Sequence, residues 1–371
     1  TYIFHCSRLG LILVAVPWFQ GEDMVSFIEE EIMKKRIFAW VLAALTLVSL
    51  SGCQSNTSES QTAGQTGGAE KESAAPASAS ADAKKIGVLQ QVQHPALDRA
   101  NEGFVAALKE AGIDYTIDQQ NAGGEPSAAQ TIASKLVNDK DDLIFTIGTT
   151  ASQAVAGLTE DIPIVVCAVT DPAESGLVDS NEKPGKNVTG ASDKTPIKEQ
   201  IALLTKLLPE AKNVGILYCT AEPNSALQAK DAMEAIGEKG LTGAEYTVSN
   251  SNEIQSVVES MVGKVDVIYV PTDNVIAAGM STVSMIATEE HKIPIIGAEV
   301  AHVENGALAT YGIDYFELGK LAGQQAVAIL EKGEKPAEMP IAYLDQAKCK
   351  LEINEEVAKQ LGIDTTAVSV E

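Results

Sequence analysis

The chain has 371 residues, of which 51 are Asp or Glu and 27 are Lys or Arg, so its formal net charge is −24. This balance argues against a nucleic-acid partner, which needs a basic face, and it favours solubility. The length is too great for one ordinary hydrophobic core and sufficient for two lobes.

Residues 1–32 do not fit any targeting signal, and the chain opens without methionine. We interpret them as sequence upstream of a true start at Met33. Glu29-Glu30-Glu31-Ile32 corresponds to a purine-rich ribosome-binding site read as codons. The alternative is a real N-terminal helix, but Pro17 would interrupt its apolar stretch.

A secretory signal is predicted over residues 33–52. Met33-Lys34-Lys35-Arg36 supplies the basic start, and Ile37–Leu50 is apolar but shorter than the roughly 20 residues that span a bilayer. Cys53 follows a small-residue cleavage site. This arrangement resembles a bacterial lipoprotein signal, which implies a lipid on the Cys53 thiol and a mature protein anchored on the extracytoplasmic face of the cell membrane.

A flexible tether is predicted over residues 53–83. Ser, Thr, Ala, Gly, Gln and Glu dominate this stretch, so it cannot bury enough apolar surface to offset the entropy of ordering. The alternative is an ordered extra strand.

Strands and helices then alternate along the chain. The predicted strands are Lys85–Gln91, Tyr115–Gln120, Leu143–Ile147, Ile162–Val169, Asn213–Cys219, Ala244–Ser249, Val265–Val270 and Ile293–Gly297. The predicted helices are Leu97–Ala111 with a stop at Gly112, Ser127–Asn138, Thr150–Leu158, Ser225–Glu238, Glu253–Gly263 and Asn274–Glu290. Apolar strands that alternate with helices predict parallel sheets covered on both faces.

The second half of this series copies the first. Lys85–Leu89 matches Asn213–Leu217, and Asp142–Phe145 matches Asp266–Tyr269. A period this long excludes a solenoid and predicts two similar Rossmann-like α/β lobes. Chance similarity between two generic α/β units is the alternative.

Ligands of open parallel sheets bind beyond the carboxyl ends of the strands. Two facing lobes would bring six such loops together, with the segments near 190–193 and 311–314 on the hinge side. The loops are Gln91–His94, Gly148–Ala151, Val169–Asp171, Thr220–Ser225, Thr272–Asn274 and Ala298–Val300.

The loop chemistry predicts a zwitterionic ligand. Gly148–Ser152 follows a strand and opens a helix, where N–H groups, the helix dipole and two hydroxyls suit an anion. A capping box of Thr150 with Gln153 is the alternative. The other loops are acidic and contain no Arg or Lys, so they suit an ammonium group: Asp171, Asp193, Asp273, Glu299 and Asp314.

Asp193 is the preferred ammonium partner because no helix start claims it. Asp171 and Asp273 are equally typical of turn or N-cap residues. The full set of candidate ligand-binding residues is Gln91, His94, Thr149, Thr150, Ala151, Thr170, Asp171, Ser192, Asp193, Tyr218, Asn224, Ser225, Thr272, Asp273, Asn274, Tyr311 and Asp314.

Signatures of catalysis and of metal binding do not occur in the sequence, so binding without chemistry is predicted, with no cofactor and no metal. His94, His291 and His302 are interpreted as polar surface residues, although His94 lies in a cleft loop. Cys167, Cys219 and Cys349 are interpreted as small core hydrophobes rather than as disulfide partners or nucleophiles: Cys167 and Cys219 lie in apolar, strand-like runs.

The body from about 84 to 344 resembles the ABC-transporter substrate-binding protein family that includes the tryptophan and tyrosine uptake binders. The matching segments are Lys85–Val88, Gly148–Ala154, Val169–Pro172, Gly176–Val178, Asn187–Asp193, Val270–Asn274 and Gly312–Tyr315. The resemblance implies a type I periplasmic-binding-protein-like fold with three hinge crossings. The lobes would comprise residues 84–191 plus about 312–335, and 192–311 plus about 336–371.

The resemblance also implies a monomer that closes around an amino acid and docks on a membrane permease driven by an ATPase. Tryptophan, tyrosine or phenylalanine would be the ligand, and Tyr218, Tyr269 or Tyr311 could stack on its ring, although strand tyrosines are also ordinary core residues. Two alternatives remain: a sensor that contacts a membrane signalling protein, and a lipid-anchored enzyme.

Overall fold

A computed structural model describes residues 83–345 and 349–368. The interpretations of residues 1–32, of the signal at 33–52, of Cys53 and of the tether up to residue 82 lie outside the described residues. Within those residues, no helix combines the length and the apolarity that crossing a bilayer requires.

Two six-stranded sheets form the body. The strands are β1 (Lys84–Gln90), β2 (Tyr115–Asn121), β3 (Leu143–Ile147), β4 (Ile164–Cys167), β5 (Val188–Ser192), β6 (Asn213–Cys219), β7 (Thr242–Val248), β8 (Val267–Val270), β9 (Ile295–Gly297), β10 (Ala309–Gly312), β11 (Ala342–Tyr343) and β12 (Lys350–Ile353). The first sheet has the order β11-β5-β4-β3-β1-β2, and the second has the order β12-β10-β9-β8-β6-β7. All pairings are parallel except that β12 runs antiparallel to β10.

Helices connect the strands and cover the sheets. They are α1 (Pro95–Ala111), α2 (Pro126–Asn138), α3 (Thr149–Ala156), α4 (Ile197–Leu207), α5 (Pro223–Glu238), α6 (Ile254–Met261), α7 (Asn274–Ala278), α8 (Met280–Ser284), α9 (Val300–Glu304), α10 (Tyr315–Lys332) and α11 (Glu355–Leu361). The shared order β2-β1-β3-β4-β5 and β7-β6-β8-β9-β10 confirms the predicted doubling of the α/β unit.

Most predicted elements lie within two or three residues of the observed ones. The predicted stop at Gly112 is confirmed, since Gly112 adopts φ +73° and its N–H donates to the carbonyls of Leu108 and Lys109. The single helix predicted over 274–290 is wrong. It breaks at Gly279 into α7 and α8 and continues as a π-helical turn over Met285–Glu290.

In contrast to the partly exposed edge strands β2, β7 and β12, the inner strands of each sheet bury both of their faces. In the first sheet, Val88 and Phe145 face the core beneath α1, whereas Leu89 and Ile144 face the core beneath α2 and α3. Burial on both faces explains why these strands read as continuous apolar runs rather than as alternating ones. The cores also contain the free thiols of Cys167 and Cys219, as predicted, whereas Cys349 is half-buried.

The chain crosses between the lobes three times, after β5, after β10 and after β11. The third crossing differs from the expected boundary near 336, because β11 pairs with β5 through Ala342 and Ala191. The chain therefore belongs to the first sheet as far as Tyr343, and it enters the second sheet at Lys350.

Helices α1 and α10 pack at close range in the first lobe. A Cβ at Gly319 would overlap the carbonyl oxygen of Ala100, and one at Gly103 would overlap the carbonyl oxygen of Phe316. Gly323 likewise faces Ala107. These glycines let two helix backbones touch, so α10, which follows strands β6 to β10 of the second lobe in sequence, completes the first lobe.

Candidate ligand site

The carboxyl ends of the two sheets meet and form polar contacts across the interlobe cleft. Thr170, after β4, lies with its Oγ1 atom 3.5 Å from Oγ1 of Thr272, after β8. The Nε2 atom of Gln228 donates to both hydroxyls, at 3.1 and 2.7 Å. His94, before α1, contacts Asn274 at the start of α7, with 3.2 Å between Nε2 and Oδ1. The predicted meeting of these loops is therefore observed.

Buried polar atoms without a hydrogen-bond partner among the described residues concentrate in this cleft. Eight of the twelve such atoms belong to residues of the cleft loops and of α9: Thr149 Oγ1, Thr150 Oγ1, His94 Nδ1, Asp193 Oδ1, Asn224 Oδ1, Glu299 Oε1 and both ring nitrogens of His302. The other four belong to Asn101, Asp141, Thr195 and Thr310. An unsatisfied buried polar group costs about 1–3 kcal/mol, so such groups are rare in a structural core. Their concentration here is the chemistry expected of a binding site.

An acidic cluster closes the hinge side of the cleft. Asp193, just after β5, is buried and accepts a hydrogen bond at Oδ2 from the hydroxyl of Tyr315, at 3.0 Å. Glu299, just before α9, is also buried and also hydrogen-bonds to Tyr315. Burial raises the pKa of Asp193 to about 6 and that of Glu299 to about 8. For both carboxyls, the loss of solvation on burial outweighs the hydrogen bonds that favour the ionised form.

Tyr315 was not among the predicted site residues. The signal was present, since Tyr315 directly follows the hinge segment at 311–314, but a tyrosine at the first position of a helix reads as core. Its ring does belong to the first core, while its hydroxyl reaches the cluster.

Two histidines lie beside the cluster, so their interpretation as surface residues was wrong. His94 and His302 are 4% and 0% exposed, whereas His291 is exposed as expected. Burial lowers the pKa of His94 to about 4 and that of His302 to about 3, so both rings are neutral near pH 7. Oε1 of Glu299 lies 3.3 Å from Nε2 of His302 and 3.9 Å from Nδ1 of His94.

The start of α3 faces the same cleft from the first lobe. Gly148 precedes it with φ +102°, and a Cβ there would crowd the side chain of Gln91. The Oε1 atom of Gln91 accepts from the N–H of Thr150 at 3.1 Å. The alternative capping box is absent, because Gln153 donates instead to the carbonyl of Ser175. The N–H groups of Thr149 and Ala151, in the same first turn, have no intrahelical acceptor.

Three of the predicted acidic residues serve as local structural caps. Asp171 accepts from the N–H groups of Ala173 and Glu174, and Asp273 caps α7 through the N–H of Ile276. Asp314 caps α10 through the N–H groups of Phe316 and Glu317. Their carboxylates are committed to backbone donors, so the structure supports the turn and cap interpretation.

Neutral polar residues complete the second-lobe wall. Asn224 donates to the carbonyl of Thr272 at 3.0 Å, which leaves its Oδ1 atom directed away from that bond. Ser225 is fully buried and hydrogen-bonds to the carboxyl of Asp273.

In the first lobe, Ser192 at the end of β5 donates to the carbonyl of Thr170 at 2.7 Å and so fixes the loop after β4.

The tyrosines proposed for ring stacking lie elsewhere. Tyr269 is fully buried and donates to Gln200 at 2.7 Å. Tyr218 donates to Glu245 at 2.6 Å, and Tyr311 packs against the same second-lobe core as Tyr269. Strand alternation places these three side chains on the faces of the second sheet rather than at its end.

Glu222 is a second residue that the sequence analysis missed. It lies in the loop before α5, is 1% exposed and accepts from the N–H groups of Asn274 and Val275 at 3.2 and 3.0 Å. An acidic residue before Pro223 reads as a surface N-cap, and nothing local indicates burial. Across the described ranges, no three His, Cys, Asp or Glu side chains are placed to hold a metal ion.

Comparisons with known proteins agree with this architecture. A tyrosine-binding protein of Clostridioides difficile is 41% identical over 89% of this chain and 93% of its own length. A Streptococcus pneumoniae ABC domain in complex with L-Trp is 40% identical with a TM-score of 0.74, over 76% of this chain and 96% of that one.

A third relative gives a different geometry. A ligand-free, open substrate-binding protein with adhesive properties from Clostridium difficile is 45% identical, over 76% of this chain and 95% of that one, but has a TM-score of 0.58. Residues 85–370 match the family of ABC transporter substrate binding proteins. This family has a solute-binding rather than an enzymatic role, and the chain belongs to it.

Proposed function

We propose that this protein is the receptor of an ABC importer for an aromatic L-amino acid: tryptophan, tyrosine or phenylalanine. The observation that carries the proposal is the set of unpartnered buried atoms in the interlobe cleft. Two relatives support the ligand class, one named as a tyrosine-binding protein and one in complex with L-Trp.

The ligand ammonium group occupies the hinge side of the cleft. It donates to Asp193 Oδ1 and Glu299 Oε1, both of which are buried acceptors. Its positive charge offsets the burial of these carboxylates, which otherwise raises their pKa. Asn224 Oδ1 offers a further neutral acceptor.

The ligand carboxylate occupies the start of α3. The hydroxyls of Thr149 and Thr150 and the N–H groups of Thr149 and Ala151 are the donors, and the helix dipole favours a negative charge there. One molecule then carries the two charges that the two ends of the cleft require.

Binding favours a closed arrangement of the lobes because the ligand contacts both at once. Contacts between Thr170 and Thr272 and between His94 and Asn274 support closure. The TM-scores also support closure. The score is higher with the L-Trp complex than with the ligand-free, open relative, although the open relative has the higher sequence identity.

The receptor is a monomer held on the extracytoplasmic face of the cell membrane by a lipid on Cys53. Its closed form delivers the ligand to a permease driven by a cytoplasmic ATPase. Replacing Cys53 with Ala should release the protein from the membrane fraction. Continued membrane association of that variant would contradict the anchor.

A thermal-shift screen of the mature chain against the twenty amino acids tests the ligand. A true ligand raises the melting temperature, because it binds only the folded state. Trp18 and Trp40 both precede Cys53, so added L-tryptophan is the only indole emitter in a fluorescence titration. Stabilisation by none of the three aromatic amino acids would overturn the proposal.

A further inference from the structure

A chain of buried hydrogen bonds joins the lobes through Glu222, Asn274 and His94. The Nδ2 atom of Asn274 donates to Oε2 of Glu222 at 2.7 Å, which sets the orientation of the amide. The Oδ1 atom of Asn274 therefore points to the first lobe, where Nε2 of His94 lies 3.2 Å away. All three side chains are buried.

These hydrogen bonds determine which nitrogen of the His94 imidazole carries the proton. Because Asn274 presents an acceptor, His94 must carry its proton on Nε2, and a neutral ring then leaves Nδ1 as a bare acceptor. Nδ1 has no partner among the described residues and faces Oε1 of Glu299 at 3.9 Å. A donor placed between these two atoms, such as an ammonium group, would satisfy both.

Glu222 holds the amide from more than one direction. Besides Nδ2, its carboxyl accepts from the backbone N–H groups of Asn274 and Val275 and, at 3.4 Å, from Nδ2 of Asn224. The side-chain hydrogen bonds of Glu222 all go to second-lobe residues, so we expect its effect on closure to pass through Asn274.

We propose that Glu222 is a positioning residue of an interlobe latch made by Asn274 and His94. Glu222 fixes the Asn274 amide, and the amide holds the His94 ring, so the latch slows opening of the cleft. Ligand release, rather than ligand capture, is the step that the latch controls.

Stopped-flow measurements with L-tryptophan and L-tyrosine test the latch, and this arm rests on the proposed function. The variants are Glu222→Gln, His94→Gln and their combination. Loss of one buried hydrogen bond should raise the dissociation rate about tenfold in Glu222→Gln, with little change in the association rate. When His94 is already replaced by Gln, adding Glu222→Gln should change the dissociation rate by less than about twofold.

A matched control separates the latch from the general loss of a carboxylate that accepts backbone hydrogen bonds in the second lobe. Asp266→Asn alters an exposed carboxylate whose Oδ2 atom accepts from the N–H groups of Lys212 and Asn213, both at 2.8 Å, at the opposite ends of the strands. This variant should lower stability without changing the dissociation rate. Equal effects of Glu222→Gln and Asp266→Asn on that rate, or independent effects of Glu222→Gln and His94→Gln, would overturn the latch.

A second arm does not depend on the ligand class. In protein labelled with 15N-histidine, His94 should be the Nε2–H tautomer, with a ring proton that exchanges slowly in wild type and rapidly in Glu222→Gln. An Nδ1–H tautomer, or rapid exchange in wild type both with and without L-tryptophan, would overturn the latch. A protected ring proton without binding of any aromatic amino acid would contradict the proposed ligand alone.

Discussion

Tyr315 donates its hydroxyl proton to Oδ2 of Asp193 across 3.0 Å, and the two residues belong to different crossings between the lobes. Asp193 follows β5 and Tyr315 opens α10. The bond therefore ties the first and second crossings together on the side of the first lobe. Glu299 of the second lobe also contacts Tyr315. The two carboxyls proposed to bind the ligand ammonium group therefore also contact the residue that connects the crossings.

Replacement of Asp193 by Asn should weaken amino-acid binding by at least about tenfold, because the ammonium group loses a charged acceptor in a buried site. The fold should persist, since Asn retains the shape of the side chain. Calorimetry measures the dissociation constant. Asp142→Asn, which alters an exposed carboxylate bonded to the N–H of Lys85 at the opposite ends of the strands, is the control. An unchanged affinity in Asp193→Asn would remove that residue from the site.

Affinity for the amino acid should rise with pH between about 5 and 8. The pKa of Asp193 is raised to about 6 and that of Glu299 to about 8, so the unbound site holds protons that the ligand ammonium must displace. Each displaced proton increases the association constant by up to about tenfold per pH unit below the pKa. Calorimetry in buffers of different ionisation enthalpy measures the release. In Glu299→Gln the rise should end near pH 6, and a flat profile in wild type would exclude this proton exchange.

Replacement of Tyr315 by Phe should shift that pH profile upward. The Tyr315 hydroxyl stabilises the ionised forms of both carboxyls and so lowers their pKa. Without it, more protons must leave on binding, and affinity at pH 7 should fall by roughly tenfold. Tyr246→Phe, on the outer edge strand β7, is the control. A uniform loss of affinity at every pH would show that Tyr315 acts only through packing.

Replacement of Gly148 by Ala should destabilise the protein by about 1–3 kcal/mol, because φ +102° is strained for any residue with a Cβ and that atom would crowd Gln91. Binding should weaken as well, since the start of α3 would move. Gly237→Ala is a matched control, because Gly237 lies within α5 and a Cβ there meets nothing within 4 Å. That control should gain about 0.5–1 kcal/mol by urea unfolding. A similar response of both glycines would refute the strain argument.

The sequence allowed prediction of the lobes and of the loops that meet, because both follow from local patterns. Continuous apolar runs located β3 and β6, and the rule that ligands bind at the carboxyl ends of strands located Thr170, Thr272 and Asn274. The sequence also distinguished Asp193 from the acidic residues that cap turns and helices, since no helix begins beside it. These inferences need only the order of elements along the chain.

The remaining site residues depend on tertiary packing that local patterns do not contain. Glu222 and His302 look like surface residues until a second element covers them. Tyr269 looked suitable for stacking, but its side chain points to the face of the sheet, whereas Tyr315 reaches the cleft from a helix start. The position of such a side chain depends on the direction in which it points, and the boundaries of helices and strands do not determine that direction.

The contact between Gly319 on α10 and Ala100 on α1 has a consequence for biosynthesis. A nascent chain emerging in order exposes α1 first, and the partner that covers it arrives only after strands β6 to β10 of the second lobe have been translated. The first lobe therefore lacks a large part of its buried surface during most of elongation, and contacts so distant in sequence form slowly. The first lobe is therefore expected to reach its packed state only late in chain elongation.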